Sequence, residues 1–137
     1  AGNRPLRPRE IFRALILPVC HEIAKSSATR ENLAQLVARS FTEPARFIQK
    51  MHQRFFRELS ENFIGELQRT YPKADKKDLY WNLHLVISSM LGTFAQHRRL
   101  NDFSKGLCDE NDVEDLSRRL IDFVSTGFEA GINSYSK

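Results

Sequence analysis

The sequence predicts an all-α bundle of about five helices, on three observations. Strand signals are nearly absent, because no alternating apolar run is bounded by turn dipeptides. Apolar residues instead recur at helical spacing through most of the chain. Every residue from Leu79 to His97 lacks a formal charge in a protein that is 28% charged, so that segment needs cover on nearly every side.

The first helix is expected over Pro8 to Lys25. Pro8 suits an opening position, and Ile11, Leu15, Val19 and Ile23 share one face. Pro18 lies inside it and should kink or split it. Ser26 to Thr29 form a break with capping potential before a short helix from about Arg30 to Ser40, which offers Leu33, Leu36 and Val37 to a core. Thr42-Glu43-Pro44 then starts a long helix to about Thr70, ended by Tyr71-Pro72. Its broad apolar face holds Phe47, Ile48, Met51, His52, Phe55, Phe56, Leu59, Phe63 and Leu67.

Asp75 and Asp78 sit where an N-cap and first turn accept backbone N–H bonds, and they open the uncharged helix. On a wheel at about 100° per residue, Leu79, Leu83, Val86, Met90 and Phe94 form one face. Tyr80, His84, Ile87 and Leu91 form the next, and Trp81, Leu85, Ser88, Gly92 and Ala95 a further apolar arc. Asp109 to Asp112 open a last helix to about Ile132, whose apolar half holds Val113, Leu116, Leu120, Phe123, Val124, Gly127, Phe128, Gly131 and Ile132.

A chain of 137 residues is expected to form one domain over 1–137 with a real core. The uncharged helix is not read as a membrane span, which needs about 20 predominantly apolar residues; Asn82, His84, Ser88, Ser89, Thr93 and Gln96 argue against it. The basic, proline-containing N-terminal stretch lacks the apolar core of a signal peptide, so the expected compartment is cytoplasmic. Cys20 and Cys108 match no metal-ligand spacing and suit a reducing compartment.

The net charge of +4 is unevenly spread. Residues 1–30 carry six basic side chains (Arg4, Arg7, Arg9, Arg13, Lys25, Arg30) against Glu10 and Glu22. Arg4, Arg7, Arg9 and Arg13 have no interleaved aromatic platform, so a solvated end is favoured over a polyanion site.

Signs of catalysis are missing. The six glycines form no phosphate-cradling pattern, and no nucleophile elbow is present. His21, His52, His84 and His97 have no ligand-type partner at i, i+4, and no metal or other cofactor is expected. Asp109-x-Asn111 faintly resembles a calcium loop, but Glu114 and Leu120 stand where glycine and a bidentate glutamate are needed, and helix capping explains the acids better. An enzyme is therefore not expected.

Two features are unusual for a plain monomeric bundle. Gly127 and Gly131 lie four apart on an apolar face, where each costs about 1 kcal/mol relative to alanine, and with Gly92 and the neighbouring serines they imply close backbone approach. That approach is either an intrachain contact or a seam with a second copy. The wide apolar arcs favour the seam, an antiparallel helix pair meeting its symmetry mate in a four-helix bundle. Leu91, Gly92, Ala95, Leu120, Val124, Gly127, Phe128 and Gly131 are the residues expected there. The second feature is large rings and methionine beside His52, His84 and Ser88, which form either core or an apolar ligand cavity with a few polar groups. For such a cavity the expected lining is Phe47, Met51, His52, Phe55, Trp81, His84, Leu85 and Ser88.

The segment from Asp78 to His97 with its Trp81-Asn82-Leu83-His84 centre, the loop Gly106-Leu107-Cys108-Asp109 and the later Phe123-x-x-x-Gly127-Phe128 together resemble the C-terminal domain of TetR-type transcriptional regulators, in particular the PsrA-like branch. The resemblance extends less distinctly back through Leu33 to Pro44. It implies an all-α domain that pairs as a homodimer through its last two helices and holds an effector between the others. For this branch it implies a repressor sensing fatty acids or acyl derivatives. The family's helix-turn-helix unit is not among these 137 residues, so DNA contact is expected only through that absent N-terminal domain, with effector binding at one site changing DNA affinity at another. A stand-alone helical module docking a different protein is the alternative reading.

Overall fold

A computed structural model describes residues 4–42, 46, 49–50, 53, 57–95 and 98–135. Among them are six helices and no strand: α1 (Pro8–Lys25), α2 (Ser27–Thr42), α3 (Arg57–Thr70), α4 (Lys76–Ala95), the single-turn α5 (Arg99–Phe103) and α6 (Val113–Tyr135). The all-α expectation holds, with one more short helix than the periodicity indicates.

Local chemistry accounts for the boundaries. At the start of α1 the backbone N–H of Arg7 donates to the Glu10 carboxylate at 2.8 Å, and Pro8 fills the first turn, where a missing N–H costs nothing. Pro18 does not split the helix, and both Pro18 and Ala14, whose carbonyl loses its partner, are on the exposed side where water can reach. Ser26 has extended backbone and closes α1, while its Oγ accepts from Thr29 N–H at 3.0 Å and so caps α2. The capping run therefore starts α2 three residues earlier than the predicted Arg30. Thr42 belongs to the end of α2, its hydroxyl donating to the Arg39 carbonyl at 3.3 Å, rather than to the start of the next helix. Of the predicted long helix, the described part is α3; Phe47, Met51, His52 and Phe55 lie outside the described residues.

Asp75 caps α4 as predicted, Oδ1 accepting from Lys77 N–H at 3.1 Å. Asp112 does the same for α6 through Asp115 N–H at 3.1 Å. The left-handed pair Lys105 (φ 54°) and Gly106 (φ 81°) reverses the chain after α5.

The core is built from one face of α1 (Ile11, Phe12, Leu15, Ile16, Cys20, Ile23), the predicted face of α4 (Leu79, Leu83, Val86, Met90, Phe94) and an inner face of α6 (Leu120, Ile121, Val124, Phe128, Ile132). On α3 the buried pair is Ile64 and Leu67, whereas Leu59, predicted for the apolar face, is exposed. The centre is aromatic: Phe12 and Phe128 have ring centroids 5.1 Å apart, and Tyr71 lies 5.9 Å from Phe128 on the other side. Burial pushes the Tyr71 hydroxyl up to about 12, with Glu129 adding to the effect, so the ring stays neutral.

Helices α4 and α6 cross closely at one point. A Cβ on Gly131 would overlap the side-chain carbonyl oxygen of Asn82, whose amide donates to the Asp78 carbonyl at 2.8 Å. The intrachain contact that the sequence pattern left open beside a seam with a second copy is therefore present at Gly131. Gly65 in α3 has open space around it. Gly65→Ala is expected to raise stability by up to about 1 kcal/mol through helix propensity and the unfolded chain. Gly131→Ala is expected to lose that gain and to destabilise by about 1 kcal/mol as Asn82 is displaced from its hydrogen bond. Urea unfolding of the two variants checks the opposite signs.

Candidate functional site

Among the described residues, the most exposed large apolar side chains lie at the end of α5 and the turn after it (Phe103, Leu107) and where α4 and α6 run side by side. Trp81 is 59% exposed, Leu85 55% and Phe123 72%, an amount of apolar surface that invites cover. Leu85 and Phe123 border an open groove of about 130 Å³, walled by Leu85 and Ser89 of α4 and by Phe123 and Gly127 of α6. Val86, Val124 and Phe128 form its floor. Gly127 has nothing within 4 Å of where a Cβ would be, and neither has Gly92 one helix away. Each glycine leaves a depression that a large side chain can enter. The groove is far smaller than the roughly 300–1,000 Å³ of a small-molecule pocket, and its open, apolar form suits a protein knob better than an enclosed ligand.

This geometry changes the expected division of residues. Trp81, His84, Leu85 and Ser88 were expected to line a ligand cavity, yet all four are exposed on the outside of α4. Their arc cannot face the interior, because the arc of Leu79, Leu83, Val86, Met90 and Phe94 already does. The Trp81 ring packs edge-on to His84, centroids 6.3 Å apart, and both remain at the surface. The other lining candidates, Phe47, Met51, His52 and Phe55, lie outside the described residues.

The seam candidates divide as well. Leu120, Val124 and Phe128 are buried in the chain's own core, so they support the face from beneath and have little surface to present to a partner. Leu91, Gly92, Ala95 and Gly131 are half-buried, and Gly127 is exposed. Phe123, counted on the apolar arc of α6 but not selected for the seam, is the most exposed large side chain of this face. Its signal in the sequence is its place four residues before Gly127.

Polar groups frame the apolar strip. Arg9 of α1 pairs with Asp122 beside Phe123, and Asp115 accepts from Arg119 at 2.9 Å and from Arg118 at 2.5 Å. Those two arginines hold Asp115 below its usual range, Arg119 contributing most. Arg4 and the backbone of Arg7 hold the Glu10 carboxyl down at about 2. Arg4, Arg7 and Arg9 are engaged by Glu10 and Asp122, so these three arginines do not form a free basic stripe of the kind a polyanion would need.

A second polar cluster escaped the sequence reading. Arg30, in the first turn of α2, is 7% exposed and reaches the segment between α5 and α6. Its Nη1 donates to Asn111 Oδ1 at 3.3 Å, and its Nη2 lies 3.9 Å from the buried Glu110 carboxylate. Glu110 is itself held, Oε1 accepting from Leu100 N–H at 2.5 Å while its own N–H donates to Asn101 Oδ1 at 3.0 Å. Among the described residues no group of three or more histidine, cysteine or acidic side chains is placed to hold a metal ion. No helix among them is long and apolar enough to cross a membrane.

No curated protein and no solved structure matches the chain significantly. The family model of the tetracycline repressor-like C-terminal domain does match, over residues 13–127, which takes in most of α1, all of α2 to α5, α6 as far as Gly127 and the Arg30 cluster. Domains of that family are regulatory rather than catalytic, and they generally dimerise and bind small-molecule effectors. This all-α chain, with its last long helix lying beside an exposed apolar α4, belongs to the tetracycline repressor-like C-terminal domain family.

Proposed function

We propose that residues 1–137 form the effector-binding and dimerisation domain of a cytoplasmic transcriptional repressor, acting as a homodimer and sensing a small apolar ligand of the fatty-acid or acyl class. The observation that carries the pairing half is the exposed strip of Trp81, Leu85, Phe123 and Gly127 across α4 and α6. Two copies laid antiparallel on this strip make a four-helix bundle in which rings of one subunit enter the glycine depressions of the other. Leu91, Gly92 and Ala95 extend the same seam towards the end of α4.

The sensing half rests on the family and on the composition of Phe47, Met51, His52 and Phe55, where flexible and aromatic side chains accompany one polar group. Effector contact is assigned to these four residues. DNA contact belongs to a helix-turn-helix unit outside these residues, and an effector acts on it by favouring one arrangement of the paired subunits over another.

Thermal unfolding with saturated fatty acids of increasing chain length tests the sensing half. A ligand at about 100 times its dissociation constant stabilises the folded state by about 2.7 kcal/mol, which is a clear shift in melting temperature. Absence of any shift across chain lengths would remove the acyl assignment and leave the pairing assignment to its own test.

A further inference from the structure

Arg30 holds a charge in the interior with an incomplete set of partners. Its Nε and Nη2 are inaccessible to water and make no hydrogen bond, although a buried guanidinium donor left unpaired is costly. These two atoms form one edge of the guanidinium, a two-pronged fork with the spacing of a carboxylate's oxygens. Among the described residues Nη1, at the other end, has a hydrogen bond, to Asn111.

The surroundings do not complete the site. Glu110 supplies one negative charge at 3.9 Å from Nη2, too long for a hydrogen bond, and it is tethered away by Leu100 N–H and by Asn101. Cys20 lies within the field of Arg30, but burial pushes its thiol up to about 11 against the pull of that charge, so it stays neutral.

We infer that Arg30 is an anion-recognition residue whose Nε–Nη2 edge takes the carboxylate of an amphipathic small molecule, with Glu110, 3.9 Å from Nη2, serving as a distant internal counter-charge when that molecule is absent. The inference rests on the effector reading above and names the polar end of the ligand. The apolar remainder of such a molecule would follow the inner face of α2, where Leu33, Ala34 and Val37 continue from Arg30 at helical spacing. An incoming carboxylate competes with Glu110, which lies three residues before α6, so binding at Arg30 is placed to alter the segment that leads into the proposed seam helix.

Titration calorimetry of the full chain with decanoate, decan-1-ol and acetate separates the contributions. Decanoate is expected to bind at least about tenfold more tightly than decan-1-ol, and acetate far more weakly than either. Arg30→Met should bring decanoate down to the alcohol's affinity while leaving the alcohol unchanged, with circular dichroism reporting the fold. Glu110→Gln keeps an acceptor for Leu100 N–H but removes the competing charge, and it should tighten decanoate several-fold; this variant decides the matter if Arg30→Met does not fold. Equal affinity for decanoate and decan-1-ol, or no tightening in Glu110→Gln, overturns the role of Arg30 and leaves the apolar effector in place. Acetate binding as tightly as decanoate overturns the amphipathic ligand. Failure of both ten-carbon compounds to bind overturns this inference and the effector reading together.

Discussion

Phe128→Ala is expected to destabilise the folded chain by about 3–5 kcal/mol, the largest loss of any single truncation in the α6 helix. The side chain is only 2% exposed and is enclosed by Phe12 at 5.1 Å and Tyr71 at 5.9 Å between centroids. Removing the ring leaves a cavity bounded by α1 and the end of α3, and two aromatic contacts disappear with it. The rigid helices can close only part of that space. Since domains of this size have a total stability of only about 5–15 kcal/mol, the variant should unfold at much lower urea. Denaturation at fixed protein concentration measures this. A loss below about 1 kcal/mol would mean that Phe128 is not packed in this core and would return it to the surface.

The contrast between Phe128 and Phe123 shows what periodicity could and could not reveal. Both fall on the apolar half of α6, and a helical wheel separates them by about 140° (five steps of roughly 100°). Which part of that wide arc its own chain covers depends on how α1 docks, and this is a tertiary fact. The same ambiguity divided the Trp81 and Leu85 arc from Gly92 beside it, although all three lie on one side of α4. By contrast, the inner face of α4 was legible residue by residue, because Leu79, Leu83, Val86, Met90 and Phe94 repeat at i+3 or i+4 without a polar interruption. Caps were legible too wherever one side chain served one helix end, as with Asp75. The Arg30 and Glu110 cluster was not legible. Its members are 80 residues apart in sequence, and each has an ordinary local explanation, a helix start for one and a capping run for the other. Only the meeting of α2 with the chain before α6 turns those surface-looking charges inward.

Phe123→Arg combined with Leu85→Glu is expected to abolish pairing while leaving the monomer folded. Both side chains are largely exposed, so their replacement opens no cavity and removes little from the core. In a two-fold seam each substitution occurs twice, and burying a Phe or Leu contributes about 1.5–3 kcal/mol per side chain. Loss at Phe123 alone should therefore weaken the dimer by on the order of 100-fold, since about 1.4 kcal/mol is a factor of ten. The introduced charges add a desolvation cost, because the Arg9–Asp122 and Arg119–Asp115 pairs at the rim already occupy the nearby acids. The two substitutions have opposite sign, so Phe123→Arg and Leu85→Glu should also be made singly, to exclude a new ion pair across the seam. Sedimentation velocity at micromolar concentration is the measurement: dimer for the parent protein, monomer for the variants, with unchanged circular dichroism. A parent protein that sediments as a monomer, or variants that remain dimeric, would rule out the α4–α6 face as the pairing surface. The depth of the groove gives a further check. Gly127→Leu adds a side chain whose Cβ has open space around it and whose branches fill the groove beside Leu85 and Phe123, so it should weaken pairing and leave monomer stability unchanged or slightly improved. That combination is one that only an interface position produces.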